Sequence, residues 1–381
     1  MTALVVTPLT GMPEVATGDD LALLVLGALT ANGLALQDGD VLVVSSKVAS
    51  KAMGLSVPSG SGDADGAREA LVAAESEWVV AERRTAGRTT QVVKARSGPV
   101  MAAAGVDASN TGGLDLLLVL PHDPDAVCRD LHAALVNASG VRRLGVVLSD
   151  TAGRAWRVGQ TDFALGAHGL VVADDLRGGT DADGRPLEVT SRAVADEVAS
   201  AADLVKGKTY AVPVAHVRGL VASLVPDPDQ GQDGAGGEGT AAGTAAGAGS
   251  LVRTGPSDWF GLGRAEAVRA ALGVTPGSPE AAMVGIASAL PEDVGTRVGR
   301  AVAVALMASA DAGVDVGQVS ASSALPTGSV TYRVIVSHHD PVELGLVVGR
   351  LLVALHGEWL HGELGARAEG SLTLEVVDRQ G

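Results

Sequence analysis

At the centre of this chain stands the stretch Leu144-Gly-Val-Val-Leu-Ser-Asp-Thr-Ala-Gly-Arg154. Its first five residues are apolar or small and predict a buried β-strand. We expect that strand to stop at Asp150, which has a threonine hydroxyl beside it. A second such run, Pro99 to Ala104, leads to Gly105-Val-Asp-Ala-Ser-Asn110 and again places an aspartate after a strand. Carboxylate and hydroxyl oxygens in such places are the ligands that Mg²⁺ or Mn²⁺ prefers when it is bound to phosphate.

Each of the two segments has a simpler interpretation as well. Asp, Ser and Asn are ordinary turn residues after a strand, and Thr151 could cap a turn. Two strand-end aspartates with a hydroxyl strengthen the functional interpretation, but these residues alone do not decide between a functional role and two ordinary turns. The chain has neither a Walker A motif nor a G-x-G-x-x-G segment between a strand and a helix. We therefore expect neither a P-loop fold nor a classical Rossmann fold.

The composition limits the kinds of partner that the protein can have. Of 381 residues, 46% are hydrophobic and only 2% aromatic, so the core must consist mainly of Val, Leu and Ala. The net charge of −16 argues against a nucleic-acid partner, because phosphate backbones are bound by basic surfaces. A single cysteine, Cys128, and the lack of a charged segment before the first apolar residues predict a cytoplasmic location. No apolar run approaches the roughly 20 residues that span a bilayer, so no membrane association is expected.

The organisation of the chain follows from one unusual segment. Residues 226–254 are rich in Gly and Ala, and most of the segment has no large apolar residue, which predicts a flexible linker. Before it, residues 1–225 alternate strand and helix patterns without a regular βαβ order, which predicts a mixed α/β domain. Within that domain, residues 69–83 are predicted to form a helix. After the linker, residues 255–381 predict a small α+β domain of unknown role.

Positive charge follows another predicted strand, Val41 to Val44. Ser46, Lys47 and Lys51 come directly after it, and two lysines four residues apart could bind a phosphate in an otherwise acidic protein. Taken by themselves, the same residues are more typical of a solvated helix face. A Gly/Pro turn that includes Met12 and Pro13 follows the first strand, and it could contact a nucleotide through its backbone.

Taken together and in order, these segments are similar to those of the coenzyme F420:L-glutamate ligase family, whose members add glutamates to the deazaflavin coenzyme F420. The resemblance covers nearly all of residues 3–221. Each motif is weak alone, but their number and order are specific. The motifs that carry it are Pro8-Leu-Thr-Gly-Met-Pro13, Asp38 to Lys51, Ala104 to Asn110, Ser149 to Arg154, Gly184 to Thr190, Ala195 to Ala199 and Val217 to Leu220.

The resemblance implies an acid–amino-acid ligase that joins L-glutamate to the coenzyme F420 precursor through an acyl phosphate and releases GDP and phosphate. It implies a homodimer, GTP as co-substrate, and Mg²⁺ or Mn²⁺ as metal, with K⁺ as a further candidate ion. Asp107, Asp150 and Thr151 correspond to metal ligands, and Asp107, Asp150 and Lys51 to catalytic residues. The implied GTP site consists of Met12, Pro13, Glu14, Val15, Ser46, Lys47, Lys51, Asn110, Lys206, Gly207, Lys208 and Thr209.

The chain departs from the family pattern at one of these positions. Where the archaeal pattern has Gly-Glu, with the glutamate as a further metal ligand, this chain has Gly207-Lys208. A protonated lysine cannot bind a metal ion, so either fewer protein ligands are used or Lys208 supplies charge that a second ion would supply. Two alternatives follow from this departure and from the unusual C-terminal part. One is a nucleotide-binding regulatory module that has lost catalysis, and the other is a bifunctional ligase and FMN-dependent dehydro-F420 reductase.

Overall fold

The computed structural model describes residues 3–59, 64–85, 88–109, 111–226, 247–255, 258–309, 311–319 and 331–378. The chain divides into two compact units. Unit 1 consists of residues 1–77 and 94–257, and unit 2 of residues 78–93 and 258–381. The elements before residue 226 are β1 (Val5–Pro8), α1 (Leu21–Ala31), β2 (Asp40–Ser45), α2 (Ser46–Ala52), β3 (Ser56–Pro58), α3 (Ala64–Ala74), β4 (Ser76–Thr85), β5 (Arg88–Ala95), β6 (Val100–Ala102), β7 (Leu116–Leu118), α4 (Pro124–Ser139), β8 (Leu144–Arg154), β9 (Arg157–His168), β10 (Asp174–Asp175), β11 (Ser191–Arg192), α5 (Val194–Lys206) and β12 (Val214–Arg218).

The centre of unit 1 is a five-stranded sheet in the order β1-β12-β2-β8-β9. Only β2 and β8 are parallel neighbours in it, and the other adjacent strands run antiparallel. The mixed α/β class predicted from the sequence is therefore confirmed. The parallel pair matters for the site, because parallel strands bring their carboxyl ends to the same edge of a sheet.

Both faces of this sheet are covered, which explains why its strands are apolar along their whole length. Val41, Val43 and Val147 belong to one buried cluster with the inner face of α5. The intervening residues of β2, Leu42 and Val44, point to the opposite face and are also fully buried. On β9, Gly166 lies so close to α4 that an added Cβ would meet the backbone of Pro124 at 2.4 Å.

The helix predicted at residues 69–83 is wrong in its second half. The observed helix α3 ends at Ala74, and β4 begins at Ser76. Trp78–Val93 also group with unit 2, although the sequence places all of residues 1–225 in one domain. Backbone hydrogen bonds within unit 2 explain this grouping, since Gly263 N donates to Val80 O at 2.9 Å and Arg84 N donates to Ala287 O at 2.8 Å.

Unit 2 is an α+β unit with a four-stranded antiparallel sheet in the order β13-β14-β16-β15. Inside it, the buried carboxylate of Glu358 accepts hydrogen bonds from Arg269 at 2.6 Å and from Arg300 at 2.8 Å. A buried charge is tolerated only when it is paired in this way. The elements of its C-terminal part are α6 (Arg264–Ala271), α7 (Pro279–Val284), α8 (Val294–Leu306), β13 (Gly313–Val319), β14 (Thr331–Ser337), α9 (Pro341–Gly357), β15 (Leu360–Ala368) and β16 (Ser371–Asp378).

The predicted linker, residues 226–254, falls mostly on residues 227–246, which lie outside the described residues. Its C-terminal end is packed against unit 1. Residues 248–251 form a 3₁₀ turn in which Ala248 is only 2% exposed. The carboxylate of Asp125 accepts hydrogen bonds from Ala248 N at 2.8 Å and Gly249 N at 3.1 Å. Within the described part of the chain, no helix is both long and apolar enough to cross a membrane.

Candidate active site

A cavity of about 800 Å³ opens in unit 1 where β2 and β8 run side by side. The parallel register aligns Ser45 with Ser149. Helix α2 begins at Ser46, directly after the end of β2, and Asp150 follows Ser149 in β8. The sheet therefore brings together two motifs that are about a hundred residues apart in the sequence.

Most of the residues predicted from the sequence line this cavity. Asp107 lies beside it and contacts the lining residue Lys47. Ser46 is fully buried at the start of α2 and is not part of the lining. Asn110 lies outside the described residues. The predicted residues that line the cavity are Met12, Pro13, Glu14, Val15, Lys47, Lys51, Asp150, Thr151, Lys206, Gly207, Lys208 and Thr209.

Asp107 is held by an ion pair with Lys47. The Lys47 ammonium also donates to Ser109 Oγ at 2.7 Å, and Ser109 N donates to Asp107 Oδ1 at 2.7 Å. Burial by itself would raise the pKa of Asp107, but the hydrogen bonds from Lys47 and Ser109 outweigh it and hold that pKa below its usual range. Asp107 is therefore a fixed carboxylate ion.

Asp150 has a different environment from Asp107. The predicted strand end is wrong here, because β8 continues through Asp150 to Arg154 and pairs with β9. Burial raises the pKa of Asp150 to about 6, although the Thr151 amide and the charge of Lys47 act in the opposite direction. A carboxyl group with such a pKa changes charge near neutral pH and responds strongly to a nearby cation.

Asp162 is the residue that sequence reasoning missed. It lies on β9 directly opposite Thr151, and only 4% of it is exposed. Its carboxylate accepts hydrogen bonds from Ser149 Oγ at 2.8 Å, Thr151 Oγ1 at 2.7 Å and Lys206 Nζ at 2.6 Å. An aspartate directly before the apolar run of β9 was the available signal, but its partners depend on the register of the β8–β9 hairpin.

Lys206, which was predicted to bind the nucleotide, lines the cavity and forms a buried ion pair with Asp162. It is 5% exposed, and besides Asp162 it donates to Ser149 Oγ at 2.5 Å. Lys51 is also paired, with Glu14. Of the four lysines that line the described part of the cavity, Lys208 alone has no hydrogen bond or ion pair with a described residue.

The turn after α5 shapes one wall of the cavity. Gly207 ends the helix with a positive φ of 57°, and a Cβ at this position would meet the ring of Tyr210 at 2.5 Å. Only glycine fits this close approach. The turn presents the exposed Lys208 to the cavity next to Asp203, whose pKa is raised by burial and by the charge of Asp162.

The charges of this cavity nearly balance. Four lysines are matched by four carboxylates among the described lining residues, namely Glu14, Asp150, Asp162 and Asp203. A nucleoside triphosphate would bring several negative charges, so further positive charge would help it to bind. Among the described residues, no three Asp, Glu, His or Cys side chains form a group that could hold a metal ion by themselves. A metal ion in this cavity would thus need oxygen ligands from hydroxyls, phosphate or water as well.

Comparison with known proteins places the cavity in a recognised family region. The family model of F420-0:Gamma-glutamyl ligase matches residues 11–219. The coenzyme F420:L-glutamate ligase of Methanothermobacter thermautotrophicus is 38% identical over 224 residues, which cover 55% of this chain and 86% of that protein. The ligase of the same name from Halobacterium salinarum is 40% identical over 212 residues, covering 52% and 79%. That from Haloarcula marismortui is 36% identical over 214 residues, covering 52% and 80%.

Proposed function

The chain belongs to the F420-0:gamma-glutamyl ligase family, and from this premise we propose that it joins L-glutamate to the coenzyme F420 precursor with GTP as co-substrate in the cavity beside β2 and β8. The observation that carries the proposal is that every lining residue of this cavity, from Met12 to Pro213, falls within the range that the family model matches. The ligase activity follows from the relatives. The use of GTP is carried over from the family resemblance, and the lysines that line the cavity support it as groups that could bind the phosphates.

The chemistry of amide formation requires an activated carboxyl group. A carboxylate is a poor electrophile, so the tail carboxylate of the F420 precursor would first attack the γ-phosphate of GTP and release GDP. The amine of glutamate would then attack the resulting acyl phosphate, and inorganic phosphate would leave. Lys47, Lys51 and Lys208 line the cavity and would stabilise the negative charge on the phosphates.

The donor set of the cavity fits a divalent cation. Asp107 is ionised, burial raises the pKa of Asp150 although the charge of Lys47 acts against this, and Thr151 keeps free lone pairs while it donates to Asp162. We propose that these three residues would hold Mg²⁺ or Mn²⁺. Such an ion would neutralise charge on the nucleotide phosphates. Lys47 at present supplies positive charge to both carboxylates.

An assay with the purified protein tests this function. The assay contains GTP, L-glutamate, Mn²⁺ and an F420 precursor that carries no glutamate. It measures GDP release and the mass of the deazaflavin product. We expect GDP release beyond a single turnover to require both the precursor and glutamate. GTP binding without ligation would contradict the proposal and favour a regulatory module that has lost catalysis. Multiple-turnover GDP release that needs no glutamate would also contradict it.

We also propose that the protein acts as a homodimer through the tip of the β8–β9 hairpin. This tip carries two large apolar side chains, Trp156 and Val158, which are 83% and 102% exposed. Exposed apolar groups at a projecting tip are typical of an interaction surface. Light scattering should give twice the mass of one chain, and Val158→Asp should shift the protein towards the monomer. An unchanged mass for this variant would remove the hairpin tip from the interface.

A further inference from the structure

A second cavity, of about 760 Å³, lies in unit 1 and is not used by the chemistry described above. Its walls come from the distal half of the β8–β9 hairpin, the first half of α5, the turn at Ser97–Val100 and the segment 248–253. This last segment lies outside the range that the family model matches.

The second cavity adjoins the first one. On β8, residues 149–151 line the first cavity and residues 152–154 line the second. On α5, Asp203 lines the first and Ser200 the second, which places them about 4.5 Å apart along the helix axis. Asp162 lines both cavities. Because Lys206 neutralises its charge, Asp162 does not repel an anionic group that lies beside it in either cavity.

The chemistry of the second cavity suggests a ligand that is both apolar and anionic. Phe163, Leu165 and Val252 contribute apolar surface to its wall. Two guanidinium groups, of Arg154 and Arg253, also line it, and neither forms an ion pair or hydrogen bond with any residue that the structure describes. The three carboxylates of the wall already have partners: Asp162 pairs with Lys206, Glu197 pairs with Arg192, and Asp196 accepts a hydrogen bond from the Ala164 amide. Free guanidinium groups are well suited to bind phosphate or carboxylate.

The buried hydroxyl of Ser97 independently indicates that this cavity holds a bound molecule. Ser97 is only 6% exposed and lines the cavity. Its hydroxyl has no hydrogen-bond partner among the described residues. A buried hydroxyl without a partner is costly, so its position in a cavity wall indicates that a ligand or water completes it.

We infer that this second cavity binds the body of the acceptor substrate, an anionic molecule with an apolar ring system, while its carboxylate end reaches the first cavity past Asp162. This inference rests on the proposed function, under which the acceptor is the deazaflavin precursor of coenzyme F420. The two arginines bind its anionic groups, and Ser97 donates to or accepts from its polar edge. The segment 248–253, anchored by Asp125, completes a wall that the family region alone does not supply.

The test compares Arg154→Gln, Arg253→Gln and Ser97→Val with the matched control Arg129→Gln, an exposed arginine of α4 that lines neither cavity. Binding of the F420 precursor without glutamate is measured from deazaflavin fluorescence, and GTP binding in the presence of Mn²⁺ by calorimetry. Each arginine variant should weaken precursor binding about tenfold, as expected for a lost charged hydrogen bond, and leave GTP binding unchanged. The control should bind both as the wild type does.

Two other outcomes are distinguishable. If the wild type ligates the precursor but the three variants bind it with unchanged affinity, the acceptor lies elsewhere and this inference fails while the proposed function stands. If the wild type binds GTP but neither binds nor ligates the precursor, the proposed function fails, and this inference fails with it.

Discussion

The ammonium group of Lys206 lies 2.6 Å from the carboxylate of Asp162, and both residues are at least 95% buried. This ion pair connects the end of α5 to the β8–β9 hairpin between the two cavities. Removing one partner of such a pair leaves an uncompensated charge in the interior, whereas removing both can be nearly neutral. The pair is therefore expected to hold the shape of the two cavity walls more than to add net stability.

Lys206→Met should destabilise unit 1 by about 3–5 kcal/mol, because the Asp162 carboxylate stays buried without its cation. Urea unfolding followed by circular dichroism measures the loss. The double variant Asp162→Asn/Lys206→Met should recover much of it. As a control, Asp183→Ala, on an exposed loop, should change stability by no more than about 0.5 kcal/mol. Strict additivity of the two single substitutions would show that the residues do not act as a pair.

Asp150→Asn should abolish ligation and leave the fold intact. Asparagine keeps the shape of the side chain but loses the charge that an ion in the cavity needs. Turnover is measured at saturating Mn²⁺, with circular dichroism as the check on folding. A rate within about threefold of the wild type would rule out a role for this carboxylate in holding the metal.

The stability of the metal-free protein should depend on pH through Asp150. Its pKa is raised by burial from 3.8 to about 6, so the folded state binds a proton more tightly than the unfolded state. This contribution to stability is complete below pH 4 and is lost as the pH rises through about 6. Asp150→Asn should therefore be more stable than the wild type at pH 7, by at most on the order of 3 kcal/mol, and the gain should vanish near pH 4. Parallel stability curves for the two proteins from pH 4 to 7 would contradict the raised pKa.

Lys208→Ala should raise the KM for GTP and leave the KM for glutamate unchanged. Lys208 lines the first cavity, is exposed and has no carboxylate partner among the described residues, so its charge is available to phosphate. Lys208→Arg keeps the charge and should stay close to the wild type. Calorimetry with GTP and Mn²⁺ gives the direct comparison, and equal affinities for Lys208→Ala and the wild type would show that this lysine faces solvent only.

Asp125→Ala should destabilise unit 1 by roughly 2 kcal/mol, since three backbone donors lose their acceptor and two of these hydrogen bonds are part-buried. These donors are the amides of Ala167, Ala248 and Gly249. Asp130→Ala, an exposed position on the same helix, is the matched control and should have little effect. Equal melting temperatures for the two variants would mean that the segment around Ala248 is not anchored by Asp125.

Sequence reasoning located most of the first cavity before its geometry was known. The order of short motifs identified the family, and twelve of its implied site residues line one cavity. The limits of helix α4 are encoded locally: Pro124 lies in its first turn, and Gly140 ends it with a positive φ of 76°. These features are local, because caps, turn residues and apolar periodicity act over a few neighbouring residues.

The tertiary structure decided what depends on distant partners. The sequence of β4 is compatible with a helix, and its strand conformation follows from pairing with β5 and from more distant backbone partners such as Ala287. Nothing in the local sequence distinguishes Asp162 from other aspartates. Its role depends on the hairpin register, which places it opposite Thr151, and on the end of α5, which places Lys206 beside it. Strand pairing and ion pairing join residues far apart in the chain, and no local pattern encodes which of them will meet. The sequence by itself therefore determined the family and the residue types of the candidate site, and the fold decided which of its charges are paired among the described residues and which are not.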